Sequence, residues 1–164
     1  MGQTLNVQQQ SKASDRTLRN LFEHYLHDMA EWFGFDTESD GSYDYDTDHL
    51  WSGQADVYFA YIGDIPIGFA LVGSAAHWLG RDGSDLEEFF VVRKYRRQGI
   101  GKAFAGQIWD RYPGDWLVRV YSENRPALPF WRSTIEAYTD NSHDEQERDI
   151  DAKRWSYFTF RNDA

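Results

Sequence analysis

The feature that most constrains this chain is a junction. An apolar run, LEEFFVV at residues 86–92, passes through the basic stretch RKYRRQGIG into a segment where Ile100, Ala103, Phe104 and Ile108 keep helical spacing. A strand feeding a helix through a two-glycine loop belongs to mixed α/β folds, in which helices cover the faces of a sheet. The start of a helix offers unbonded N–H groups and the positive end of its dipole, so such a junction suits phosphate. Gly99 and Gly101 would allow close approach to the backbone, and Arg96, Arg97 and Lys102 add positive charge. Glycines that merely close a tight turn beside solvated arginines explain the same loop, and its composition does not separate the two readings.

The flanking segments extend the pattern. Residues 14–33 place Leu18, Leu21, Phe22, Tyr25, Met29 and Trp32 on one helical face, with His24, His27, Asp28 and Glu31 opposite and Ser14 or Asp15 as the expected cap. The run VYFAYIGDIPIGFALVG predicts a hairpin turning at Gly63-Asp64. HWLGRDGSD reads as a loop, Pro113-Gly114 ends the second helix, and WLVRVYS is a strand. A short helix is expected from Arg125-Pro126, confined by Pro129 to the region past Leu128. Residues 140–153 read as a polar loop and RWSYFTF as a closing strand. The expected fold is α/β, a mixed central β-sheet flanked by helices, in a single domain over residues 1–164.

Composition narrows the partners. With 17 Lys and Arg against 27 Asp and Glu, the net charge of -10 disfavours nucleic acid and anionic membrane and favours small cations, though solubility alone also accounts for it. The chain has no Cys, which removes disulfides, thiolate metal sites and a cysteine nucleophile together. The MGQTLNVQQQSK start carries neither a basic nor an apolar targeting pattern, and Asn6 stands where a myristoylation motif needs Ser or Thr. A cytoplasmic location is the expectation.

Two segments carry part of a metal-binding pattern. Residues 36–48 nearly spell a calcium loop, with Asp36, Glu38 and Asp40 at alternate positions before Gly41, but Thr47 replaces the required bidentate Glu. An acidic surface loop is the preferred reading. His24 and His27 fit a solvated helix face as well as ligand spacing, so no metal is expected.

Spacing also excludes two nucleotide motifs at the junction. A Walker loop would need Gly at 96 and Ser or Thr at 103, where Arg96 and Ala103 stand; a dinucleotide fingerprint would need Gly where Phe104 stands. The pattern that fits is R-x-x-G-x-G at residues 96–101 after a strand ending in Val91-Val92. This resembles the acetyl-CoA loop of the GNAT N-acetyltransferase superfamily. The likeness runs from the residue 56–73 hairpin through EEFFV and the loop to Asn124 and PFW at residues 129–131. The early helix, EEFFV and the RYPGDW turn together look most like a group of bacterial predicted acetyltransferases.

The resemblance implies a pyrophosphate held by main-chain N–H groups of Arg97, Gln98, Gly99, Ile100, Gly101 and Lys102, with Arg96 beside it. It implies pantetheine alongside Val91 and Val92, in a gap where the sheet splays, and a polar contact from Asn124, which serves equally as a helix cap. The implied reaction transfers acetyl from acetyl-CoA to a primary amine of a small molecule or an exposed amino group. The absence of Cys and of a G-x-S-x-G elbow leaves direct attack by the amine as the economical route. An alkylamine with pKa about 10.4 must first lose a proton.

Glu87 and Glu88 are successive strand residues and so point to opposite faces; Glu88 is favoured as base, with Glu87 and Asp85 as alternatives, and either Glu reads also as a structural partner. Family members often carry a Tyr acid after an aromatic residue, whereas here Trp131 follows Phe130. Indole is no acid at neutral pH, so Tyr121, Tyr138 or water would replace it, and a non-catalytic acyl-CoA binding module is the alternative function. The resemblance places the acceptor wall on His24, Tyr25, Asp28, Tyr43 and Tyr45, whose acidic and aromatic groups suit a cationic amine. Aromatic content and family habit are compatible with a homodimer.

Overall fold

The computed structural model describes residues 2–163; Met1, part of the start weighed for myristoylation, lies outside them. In chain order the elements are β1 (Leu5–Gln9), α1 (Asp15–Phe33), β2 (Ala55–Ile62), β3 (Ile65–Ser74), α2 (Ala76–Leu79) and β4 (Ser84–Val91). Then follow α3 (Ile100–Trp109), β5 (Gly114–Tyr121), α4 (Ala127–Thr139), β6 (His143–Ile150) and β7 (Lys153–Asn162). The strands form one mixed seven-stranded sheet in the order β1-β2-β3-β4-β5-β7-β6. β4 and β5 run parallel, in register at Ser84↔Trp116 and Asp85↔Leu117, while β1/β2, β5/β7 and β6/β7 are antiparallel.

The described residues form two compact units, 2–71 with 88–100, and 72–87 with 101–163. In the first, the apolar stripe expected on α1 supplies Leu18, Leu21 and Phe22 to a core with Leu50, Val57, Phe59, Phe69, Leu71 and Phe90. The start of α1 is held differently from the expectation. Ser14 makes no side-chain cap, and Asp15 instead accepts hydrogen bonds from Thr47 Oγ1 at 2.6 Å, Trp51 Nε1 at 2.7 Å and Arg19 Nε at 2.7 Å. Burial raises the Asp15 pKa, but those three donors outweigh it and bring the carboxyl to about 2. The second unit packs Ala75, Leu117 and Tyr157 with Trp78, Leu79, Ile150 and Trp155.

Three expectations are corrected. α4 begins at Ala127, contains Pro129 and runs for 13 residues, because a proline in the first turn forfeits only an N–H that has no intrahelical partner there. The supposed polar loop at 140–153 contains β6, paired with β7 from His143↔Phe160 to Ile150↔Lys153. Its turn, Asp151-Ala152, has φ of 51° and 61°, a conformation usually signalled by Asn-Gly or Asp-Gly. β6 carries charge on both faces, as an edge strand can, so it has no alternation to read. HWLGRDGSD, read as loop, includes the single helical turn α2.

Candidate functional site

β4 sorts its carboxylates by alternation. Glu88 and Phe90 share one face, while Asp85 and Glu87 lie on the other. On the first face Phe90 joins Phe69 and Tyr25, with ring centroids 5.8 and 6.0 Å away, and Phe22 stacks on Phe69 at 4.5 Å. Within this aromatic surround the Tyr25 hydroxyl donates to Glu88 Oε2. Burial first, then the charge of Glu88, raises the Tyr25 phenol well above its ordinary 10.0, so it stays protonated and a donor at neutral pH.

On the other face Asp85 is buried and Glu87 exposed. Asp85 is 1% exposed, accepts from Arg119 Nη2 at 2.8 Å, and leaves Oδ1 without a partner among the described residues. Burial raises its pKa against the opposing charge of Arg119, which in turn lies 4.5 Å from the Trp78 ring centroid. Glu87 rests over Gly73, where a Cβ would come within 2.0 Å of Glu87 Oε1, so the bare Cα makes room for the carboxylate.

Beyond β4 the chain is anchored before it reaches the glycines. The Val92 N–H donates to the Ile67 carbonyl at 2.7 Å, and Arg96 Nε donates to the Val91 carbonyl at 2.7 Å. Alternation therefore turns the backbone groups of Val91, not those of Val92, away from β3. Asp28 takes Arg93 Nη2 at 2.5 Å on one oxygen and Arg96 Nη2 at 2.6 Å on the other. Burial raises the Asp28 pKa, but the two guanidiniums outweigh it and lower the carboxyl. Arg96 thus braces the loop from beneath, its guanidinium 5.4 Å from the Phe90 ring centroid.

The loop itself fits a phosphate. Arg97 and Gly99 adopt φ of 60° and 78°, and left-handed residues interleaved in a short loop turn successive N–H groups toward one side. Gln98 Nε2 ties back to the Lys94 carbonyl at 2.8 Å, and α3 starts directly after at Ile100. A Cβ at Gly99 would meet nothing within 4 Å, so it is the left-handed backbone that selects glycine. Gly101 has a packing reason of its own, because a Cβ there would sit 3.1 Å from Phe130 Cζ. Arg97 and Lys102 are exposed.

The remaining candidates lie as follows. Asn124 forms the turn before α4, its N–H donating to the Tyr121 carbonyl at 3.0 Å and its carbonyl accepting from Ala127 at 3.1 Å. Trp131 is 8% exposed, 4.9 Å from Phe130 and 6.3 Å from Trp109 between ring centroids. The Tyr138 hydroxyl donates to Asp110 at 2.7 Å; burial and that carboxylate raise the phenol strongly. Tyr121 packs on Trp155 at 5.4 Å. Tyr45 stacks on Phe22 at 4.7 Å beside a polar recess of about 430 Å³ lined by Arg19, Asn20, Glu23, Asp40 and Ser42. The Tyr43 N–H donates to Glu23 at 3.0 Å, and its hydroxyl lies 3.2 Å from His27 Nδ1. His24 is exposed on α1.

Sequence reasoning missed Arg93 and Phe69. Arg93 had a signal, as one of the basic residues just before the glycines; Phe69 reads only as a hairpin core residue.

The model of the acetyltransferase (GNAT) family matches residues 21–134, well over half of the sequence. The chain belongs to the GNAT acetyltransferase family. Solved GNAT-type structures share its fold. A GNAT family acetyltransferase from Streptococcus agalactiae superposes with TM-score 0.70 at 12% identity, over 100% of this chain and 99% of that one. An acetyltransferase from Thermus thermophilus gives 0.68 at 12%, over 96% and 97%. Spermidine N-acetyltransferase from Vibrio cholerae, in complex with CoA and spermine, gives 0.67 at 11%, over 98% and 97%. At these identities the likeness concerns the fold. A comparison with curated proteins finds no match. No helix among the described residues is long and apolar enough to cross a membrane.

Proposed function

We propose that this GNAT protein moves an acetyl group from acetyl-CoA to a primary amine of a small molecule or exposed amino group, acting in the cytoplasm. The observation that carries the reading is the Tyr25-bonded Glu88 carboxylate on the strand that runs straight into a loop with Arg97 and Gly99 left-handed. The N–H groups of Arg97, Gln98, Gly99 and Ile100 hold the pyrophosphate, with Val91 contributing along the cofactor. Acetyl-CoA supplies the thioester carbonyl.

Glu88 accepts the proton that the incoming ammonium must shed, directly or through water. The amine nitrogen then bonds to the carbonyl carbon and gives up its second proton to solvent as the carbon–sulfur bond breaks. Trp131 is buried and indole is not an acid, and the Tyr138 hydroxyl is engaged with Asp110, so water or Tyr121 protonates the departing thiolate. Tyr43, Tyr45 and His24 take the approach of a cationic acceptor, an assignment supported for Tyr45 by the acidic recess it lines and in general by the spermine in the Vibrio cholerae structure.

The test is CoA release with a panel of polyamines, aminoglycosides and peptide amino termini, using wild type, Glu88→Gln and Glu87→Gln. The proposal expects turnover that falls at least about a hundredfold in Glu88→Gln and far less in Glu87→Gln; the reverse order would make Glu87 the base. A second reading, acyl-CoA binding without turnover, is favoured by the burial of Trp131 where family members carry Tyr. Tight acetyl-CoA binding with no CoA release across the panel would establish it.

A further inference from the structure

Tyr25, expected on the acceptor wall, also meets the Glu88 carboxylate. One face of α1 presents two residues, three positions apart, to the segment that includes the end of β4 and the loop after it. Asp28 takes the two arginines, and Tyr25 reaches Glu88. We infer that Tyr25 is the positioning residue for the base, its hydroxyl fixing Oε2 of Glu88 and with it the orientation of the carboxylate. The role in catalysis rests on the acetyl-transfer reading; the hydrogen bond does not.

The surroundings hold the Tyr25 ring in place against Glu88. Its ring is fixed by Phe22, Phe69 and Phe90 at 5.7, 5.5 and 6.0 Å, so the hydroxyl has little freedom to turn away. Tyr45 from the loop after α1 also acts on the Tyr25 phenol, and one turn along α1 Asp28 holds Arg93 and Arg96 from the segment after β4. A hydrogen bond donated to a carboxylate favours its charged form. Tyr25 therefore keeps the base ionised inside an aromatic surround that would otherwise favour the neutral acid.

Tyr25→Phe removes the hydroxyl and keeps the ring. Glutamate carboxyl carbons are followed by NMR across pH in wild type and Tyr25→Phe, with Glu88→Gln identifying the Glu88 resonance. The titration midpoint of Glu88 is expected to rise by about one pH unit in Tyr25→Phe. In turnover, kcat should fall about tenfold or more, the acid limb of its pH profile should move up by the same unit, and acetyl-CoA affinity should stay within about twofold. Coincident NMR midpoints would overturn the inference whether or not the protein turns over. A shifted midpoint in a protein that releases no CoA would instead overturn the acetyl-transfer reading and leave the Tyr25–Glu88 bond in place.

Discussion

Replacing Asp15 by Asn should weaken the fold in a way that fades with acid. A carboxyl held at about 2 rather than 3.8 contributes about 2.4 kcal/mol at neutral pH, each pKa unit being worth about 1.36 kcal/mol. The Asp15 side chain is 21% exposed, and solvent screening brings the figure to roughly 1–2 kcal/mol. Because the folded-state pKa is depressed, the contribution is complete above pH 4 and disappears as pH falls through about 2. At pH 2.5 roughly a third should remain. Asn keeps an acceptor for Thr47 and Trp51 but loses the charge opposite Arg19. Urea unfolding followed by tryptophan fluorescence at pH 7, 5, 3 and 2.5 measures the difference between wild type and Asp15→Asn. A difference that stays constant across this range would refute the electrostatic reasoning and leave only shape or packing as its source.

Other substitutions probe separate parts of the account. Asp28→Asn should raise the acetyl-CoA Kd at least about threefold by releasing the loop arginines, while costing under about 1 kcal/mol of stability because Arg93 and Arg96 are 68% and 39% exposed; unchanged affinity in a titration would contradict the bracing role. Gly68→Ala would bring a Cβ within 2.2 Å of the Phe90 carbonyl oxygen, so its urea midpoint should correspond to a loss above about 2 kcal/mol. Asp85→Ala leaves Arg119 without its carboxylate and should cost about 3 kcal/mol in the same assay. Trp131→Tyr, although it restores the family's residue type, should not raise kcat, because the position is buried; a tenfold gain in CoA release would show that it reaches the reaction.

The sequence was most legible where periodicity and chemistry coincide. α1, the Gly63-Asp64 hairpin and the strand–loop–helix junction each combine a regular apolar pattern with a distinctive terminus, and each appears where expected. β6 was hidden because HDEQERDI pairs along one edge only and buries neither face, leaving no alternation, and because Asp151-Ala152 turns without glycine. Pro129 misled for a different reason, since a first-turn proline and a helix-breaking one are the same letter. At the site, side-chain identity was readable but side-chain pairing was not. Asp28, expected on the acceptor wall, pairs from α1 with Arg93 and Arg96 of the loop after β4, a pairing no local pattern announces. Tyr25 and Glu88, 63 residues apart, meet because the stripe of α1 packs around Phe69 and Phe90.

Phosphate capture by the loop is tested by isothermal titration of acetyl-CoA into the wild-type protein and into an Arg97→Glu/Gly99→Asp double variant, with circular dichroism confirming that both are folded. The account predicts binding on the order of micromolar Kd for wild type and none for the variant, whose added carboxylates repel phosphate and whose position 99 no longer favours the left-handed backbone. Equal binding by both proteins, or no binding by folded wild type, would contradict it.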